Sequence, residues 1–239
     1  MTYDRNMIDL PEPPSRHERQ QQTRAALIEA GREVFAELGY HAANLDRIAR
    51  QAGFSKGAVY SNFSGKAALF LAVMDANLQS VWSQPWGTPE TFRKDVPPPE
   101  VADDKEEAEL EELIRGFALA TLEFIAVAAR DEELSGELQQ RIQDVVDQYT
   151  EVAKTARIEH DELSPEQIGT LLTALDQGSG LLLLGGTGML DDALWSVGMQ
   201  RLLSPSHDDG EKFNSSAATG NEAENHIQER LMKALRRKP

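Results

Sequence analysis

Three features of this 239-residue sequence predict an all-α fold. Apolar residues recur at three- and four-residue spacing along most of the chain, the period of a helix buried on one face. No segment alternates apolar and polar residues as a half-buried strand does. Capping residues, glycines and prolines punctuate the apolar stripes where helices should start and stop.

Composition narrows the class further. A chain of this length can bury a core in one or two domains. It holds no run of eighteen apolar residues, the length that would suggest a membrane span. The start, MTYDRNMIDLPEPPSRHERQ, lacks the apolar centre of a signal peptide. Cysteine is absent, so neither a disulfide framework nor a thiolate metal site is possible. A cytoplasmic protein is expected.

The formal net charge is −16. It is segregated: residues 1–66 hold 9 Lys or Arg against 8 Asp or Glu, and the rest hold 15 against 32. A net acidic chain can therefore still offer one locally basic face to an anionic partner.

Residues 1–19 read as a flexible arm, broken by Pro11, Pro13 and Pro14 and ending in Arg16, His17 and Arg19. It is either a solvated tail or an arm that touches nucleic-acid phosphates or a neighbouring groove. Leu27, Ile28, Gly31, Val34, Phe35 and Leu38 form a first helical stripe, with Gly39 as its stop. Leu45, Ile48, Ala49 and Ala52 form a second, short one. Asn44 is placed to cap it, and Gly53 to end it in a turn that needs positive φ. Ser55 is placed to cap a third helix, whose Val59 and Phe63 turn inward. Lys56, Gly57, Ala58, Tyr60, Ser61 and Asn62 lie between them and are small, polar or basic. A helix packed on the core, a tight turn and a helix with a polar outward face make a helix-turn-helix.

A fourth helix is expected from about Lys66 to Val81 on Leu69, Phe70, Val73, Ala76 and Leu78. Starting beside the helix-turn-helix and ending in the next unit, it is placed to act as a lever. Prolines at 85, 89, 97, 98 and 99 break the chain over 83–104, and Trp82, Trp86 and Phe92 flank that loop. Seven of residues 103–112 are Asp or Glu, which suits a helix start. That helix turns apolar over 110–129 through Leu113, Phe117, Ala120 and Phe124. Another spans 131–156 on Leu134, Leu138, Ile142, Val145, Val146 and Tyr149. Ser164-Pro165-Glu166-Gln167 is a capping box with Pro at the first helical position. It opens a helix over 165–184 that ends in GLLLLGGTG, apolar on every side and so expected to be buried. Leu194, Trp195, Val197 and Leu202 mark a helix over 191–203. A polar linker over 204–221 and a last helix over 222–237 complete the expectation.

The run from Thr23 to Asp75, TRAALIEAGREVFAELGY … IARQAGFSKGAVYSNFSGKAALFLAVMD, resembles the DNA-binding domain of the tetracycline-repressor (TetR) family. Its most specific part is Ser55, Gly57, Tyr60, Phe63 and Lys66. Ala67 and Ala68 stand where acidic residues are commoner in the family, which implies a slightly weaker helix start. The resemblance implies a DNA-binding domain at 20–66, an effector-binding and dimerisation domain at 67–205, and a polar segment with a further helix at 206–239. It implies a homodimer, closed by the helices at 165–184 and 191–203, with Leu171, Leu175, Gly178, Leu182, Leu194 and Trp195 in the interface. It implies a palindromic DNA operator, contacted through Asn44, Ser55, Lys56, Gly57, Ala58, Tyr60, Ser61, Asn62 and Lys66. Tyr60 and Lys66 are expected on phosphates, and Ser55, Lys56, Ala58 and Ser61 nearer the bases.

A small, mostly apolar effector is expected among the middle helices. Trp82, Phe117, Phe124, Tyr149 and Asp176 are expected to wall its site, with Glu123 as a polar anchor. Glu123 sits among Leu119, Ala120, Ala126 and Val127, so its carboxylate needs a partner. That partner is either a polar or cationic group on the effector or a buried Arg such as Arg115 or Arg157. The expected role is a repressor released by effector. The alternatives are a regulator answering to a protein partner or to nothing, and an enzyme on a helical bundle.

No catalytic, metal or cofactor set is expected. Gly53-Phe54-Ser55-Lys56-Gly57 spells a nucleophile elbow, but a helix and not a strand precedes it. Gly65-Lys66 lacks the other residues of a phosphate-binding loop. No two of the five His have the i, i+4 spacing of a metal site.

Overall fold

Helix α1 (Arg16–Ala42) begins at a reciprocal cap. The Ser15 N–H donates to the Glu18 carboxylate at 2.6 Å, and the Glu18 N–H donates to Ser15 Oγ at 3.2 Å. In this computed structural model, which describes residues 15–82, 104–156, 163–186 and 192–203, helix thus replaces the end of the expected arm. Arg16, His17 and Arg19 occupy the first turn of α1, because the Ser15–Glu18 capping box opens the helix directly after the prolines. Regular helix stops at Gly39 (φ 75°), as expected, and one further turn follows.

The next two helices are α2 (Leu45–Gln51) and α3 (Lys56–Tyr60). After them come α4 (Lys66–Trp82), α5 (Asp104–Ala128), α6 (Glu132–Ala156), α7 (Pro165–Leu184) and α8 (Asp192–Leu203). Among the described residues no strand occurs, and the fold is all-α. The expected capping box of α7 forms: Ser164 N–H donates to Gln167 Oε1 at 2.8 Å, and Gln167 N–H to Ser164 Oγ at 3.3 Å. The expected loop at 83–103, linker at 204–221 and helix at 222–237 fall outside the described residues.

Two apolar clusters build the interior. The first joins Leu27, Val34 and Phe35 of α1, Ile48 of α2, Val59 of α3 and Leu69, Phe70 and Val73 of α4 to Ala120, Phe124 and Ala128 of α5. It therefore runs straight through the boundary expected between residues 66 and 67. Aromatic rings concentrate there. Phe70 lies 4.9 Å from Phe35, 5.2 Å from Tyr40, 4.8 Å from Phe124 and 5.3 Å from Phe117, centroid to centroid. Such pairs contribute roughly 0.5–1.5 kcal/mol each beyond burial. Helices α1 and α5 also approach closely at Gly116, where a Cβ would overlap the Ala36 carbonyl. Head and body are one packed unit on this side.

The second cluster holds Tyr149, Val152 and Ala153 of α6, Ile168 and Leu172 of α7, and Met199 and Leu203 of α8. The apolar end of α7 does not join it. Leu181 is 58% exposed and Leu182 42%, with Leu171 and Leu194 similarly open. Among the described residues the burial expected of GLLLLGGTG is not supplied, because they pack only the other face of α7.

Candidate nucleic-acid interface and internal cavity

The α2–α3 corner is set by two side-chain caps and one glycine. Asn44 Oδ1 accepts from the Arg47 N–H at 2.9 Å, opening α2. Gly53 (φ 76°) closes it: its N–H bonds the Arg50 carbonyl at 3.1 Å and the Phe54 N–H bonds the Ala49 carbonyl at 2.8 Å. Ser55 Oγ then accepts from the Ala58 N–H at 3.3 Å and opens α3. Val59 and Phe63 face inward, fully buried or nearly so. Ser55, Lys56, Gly57, Tyr60 and Ser61 are exposed, Tyr60 at 53%. Arg24 holds the end of this corner from α1: it donates to the Asn62 carbonyl at 2.8 Å and lies 4.3 Å over the Phe63 ring.

The second feature is a cavity of about 380 Å³ between the two apolar clusters. Its wall draws on Met74 and Leu78 of α4, Phe117 of α5, Ile142 and Val145 of α6, and Thr173 of α7. Its charged groups are Asp75, Arg141 and Asp176. Arg141 clasps Asp75 through two hydrogen bonds, Nε to Oδ1 at 2.7 Å and a second to Oδ2 at 2.9 Å, tying α6 to α4. Tyr149 donates its hydroxyl to Asp176. Burial raises the Asp176 carboxyl above the usual carboxylate range; hydrogen bonds from Gln177 and Tyr149 oppose that. Burial first, and then the Asp176 charge, push the Tyr149 phenol well above its ordinary value.

Residues 27–73 match the family model described as bacterial regulatory proteins, tetR family. That match spans the helix-turn-helix, so this part of the chain is similar to the DNA-binding domain of TetR-family regulators. A 60-residue stretch is 45% identical to the HTH-type transcriptional activator FasR of Mycolicibacterium smegmatis, covering 25% of this chain and 27% of that protein. A 54-residue stretch is 46% identical to the HTH-type transcriptional regulator SrpR of Pseudomonas putida, covering 23% and 25%. The chain thus spans about a quarter of the length of these curated relatives. The crystal structure of a transcriptional regulator from Rhodococcus sp. Rha1 aligns with 75% of this chain and 93% of that one, at 19% identity and a TM-score of 0.49.

Within this TetR-like head the expected residues divide in two. Ser55, Lys56, Gly57, Tyr60 and Ser61 share the outward side of the α3 corner. Lys56 also pairs with Asp46 at 2.9 Å, an exposed contact that a phosphate can displace. Ala58 is half-buried and Asn44 is committed to its cap. Asn62 folds back, its amide donating to the Ala58 carbonyl at 2.8 Å. Lys66 departs most from expectation. Its ammonium donates to the carbonyls of Tyr40, His41 and Ala43 at 2.8, 3.0 and 3.1 Å. Three orphan carbonyls after Gly39 claim the charge that was assigned to a phosphate.

Of the expected cavity wall, Phe117, Tyr149 and Asp176 are in place. Phe124 is fully buried in the first cluster, 5.1 Å from Tyr40, so it packs the head and not the cavity. Glu123 is absent from the wall as well: it accepts from the His41 N–H at 2.9 Å. Its hydrogen-bond partner is the backbone of the turn after Gly39, not the expected Arg. The side chain of Trp82 lies outside the described residues. The clasp of Asp75 and Arg141 was missed, because 66 residues separate them and each reads as an ordinary surface charge.

In the expected interface, Leu171, Leu182 and Leu194 are exposed, and Gly178 has open space where a Cβ would stand. Leu175 and Trp195 are half-buried against the second cluster. Among the described residues no helix is long and apolar enough to cross a membrane, and no three His, Asp or Glu side chains are grouped to hold a metal.

Proposed function

We propose that this chain is a homodimeric transcriptional repressor that leaves its operator when a small, mostly apolar molecule occupies the cavity. One observation carries the reading. Helix α4 packs Leu69, Phe70 and Val73 into the head and presents Met74, Asp75 and Leu78 to the cavity. A ligand that moves α4 moves the head with it. Phe117 adds a second link, since it borders the cavity and stacks on Phe70.

Such a ligand releases DNA only if it prefers the arrangement that does not bind DNA. The exposed leucines of α7 and α8 support a dimer through that face. A dimer would present two α3 helices to successive major-groove half-sites. Selection of bound DNA from a random pool by the full chain should return a palindrome. Fluorescence polarisation on that DNA, with a panel of small apolar molecules, then tests release. Recovery of no common sequence defeats the DNA reading. Recovery of a palindrome that no molecule releases defeats the effector reading alone.

A further inference from the structure

Among the described residues three charged side chains border the cavity, and they do not balance. Asp75 and Arg141 neutralise one another through their paired hydrogen bonds. Asp176 has neutral hydrogen-bond partners: the Tyr149 hydroxyl and the Gln177 amide, the latter at 2.9 Å. Among the described residues no Lys, Arg or His pairs with it. The cavity wall therefore carries one carboxylate beyond its cations. The rest of the lining is mainly Met74, Leu78, Phe117, Ile142 and Val145, with little polar surface.

Three ligand charges can be weighed against this wall. An anion would have to take Arg141 from Asp75, or lie in the same apolar space as Asp176. A neutral molecule would expel water from Asp176 and return no charge, leaving a costly buried carboxylate. A cation would supply the missing counter-ion, and its apolar body would cover the aliphatic and aromatic wall. We propose that the cavity selects a lipophilic monocation, with the Asp176 carboxylate as its counter-ion and Tyr149 holding that carboxylate in place. The raised carboxyl of Asp176 is the response expected of a buried charge without a counter-ion. This inference rests on the reading that the cavity takes a small molecule. It replaces Glu123 by Asp176 as the polar anchor.

Three probes of one skeleton test it: 4-phenylbutylamine, 4-phenylbutanol and 4-phenylbutanoate, charged +1, 0 and −1 at neutral pH. Isothermal titration on the full chain should find the ammonium bound about tenfold or more tightly than the alcohol, and the carboxylate weakest. That advantage is the range of a charge-assisted hydrogen bond. Asp176→Asn should abolish the preference, weakening the ammonium and strengthening the alcohol, which then buries no carboxylate. Equal affinities, or a preference for the carboxylate, would overturn the cation proposal while leaving a ligand cavity standing. A preference that survives in D176N would overturn the assignment to Asp176. If no probe binds at millimolar concentration, the cavity reading falls and the inference with it. Should D176N not fold, the three probes on the unaltered chain still decide the charge preference.

Discussion

The Glu123 carboxylate of α5 accepts a 2.9 Å hydrogen bond from the backbone N–H of His41, two residues beyond the Gly39 kink of α1. Lys66 of α4 grips the same turn from its other end, through the carbonyls of Tyr40, His41 and Ala43. One turn of backbone thus has its donor taken by α5 and its acceptors taken by α4. The two side chains also attract each other: burial lowers the Lys66 ammonium's proton affinity, and the Glu123 charge partly restores it. This joint fixes how the helix-turn-helix meets the body.

Glu123→Ala should therefore destabilise the chain by about 1.5–3 kcal/mol, the range for a hydrogen bond to a charged group. Glu123→Gln should cost less, because its amide oxygen can still accept from His41. Urea unfolding measures both. Titration of E123Q with 4-phenylbutylamine should match the unaltered chain, since Glu123 does not border the cavity. Lost ligand affinity at unchanged stability would return Glu123 to the effector site.

Gly39 tests the same joint from its other side. At φ 75° and ψ 172° it occupies a region that side chains enter at roughly 1–3 kcal/mol. A Cβ there would also press on the Glu123 carboxylate. Gly39→Ala should be destabilising, and less so when Glu123 is already Ala. A double-mutant cycle should show coupling above about 0.5 kcal/mol. Additive costs would mean that the carboxylate does not seat on Gly39.

Lys66 separates anchoring from DNA contact. A phosphate contact by Lys66 would make K66A lower the salt slope of operator binding by about 2 per dimer. With its ammonium spent on three carbonyls, K66A should instead lower stability and leave that slope unchanged. Lys56→Ala should reduce the slope or alter sequence preference while stability holds, its exposed pair with Asp46 contributing little. A fall in the K66A slope at full stability would restore the phosphate role.

These residues also mark where the sequence was legible. Elements whose signals are local came through: the caps at Asn44, Ser55 and Ser164, the turn at Gly53, and the inward Val59 and Phe63. Each depends on neighbours within a few positions. The joint and the clasp did not. Glu123 meets His41 across 82 residues and Arg141 meets Asp75 across 66, and no spacing rule reaches that far. Phe117 and Phe124 illustrate the limit within one stripe. They are seven apart on the same face of α5, yet Phe117 borders the cavity and Phe124 is sealed between Tyr40 and Phe70. Helical period names a face; only packing says what lies against each turn of it.

The clasp of α4 by α6 makes its own test. Asp75 is 45% exposed and Arg141 21%, so solvent screens the pair. A cycle of Asp75→Ala and Arg141→Ala should give a coupling of about 0.5–1.5 kcal/mol in stability. If α4 is the lever, breaking the clasp should also weaken the ligand's power to release DNA. Polarisation of labelled operator against ligand concentration reads that directly. Full release by the double variant at unaltered ligand concentration would remove the clasp from the switch.

Asp176 should reveal itself in the pH dependence of stability. Burial raises its folded-state value above the 3.8 of a free Asp, so the folded chain holds this proton more readily than the unfolded chain does. The sign follows. Stability tied to this group is fully present below the ordinary carboxylate value, and is lost as pH rises through the raised one. At neutral pH the free protein bears the cost of an ionised, half-buried carboxylate. D176N cannot ionise and escapes that cost. Its melting temperature should exceed that of the unaltered chain at pH 7, with the gap closing as pH falls to about 4 and below. Tyr149 does not blur this window, since its phenol is pushed upward and stays neutral throughout. Thermal melts of both proteins from pH 3.5 to 7 supply the comparison. A D176N chain less stable at pH 7 would mean that the bonds from Tyr149 and Gln177 outweigh the burial, and that the carboxylate is satisfied before any ligand arrives.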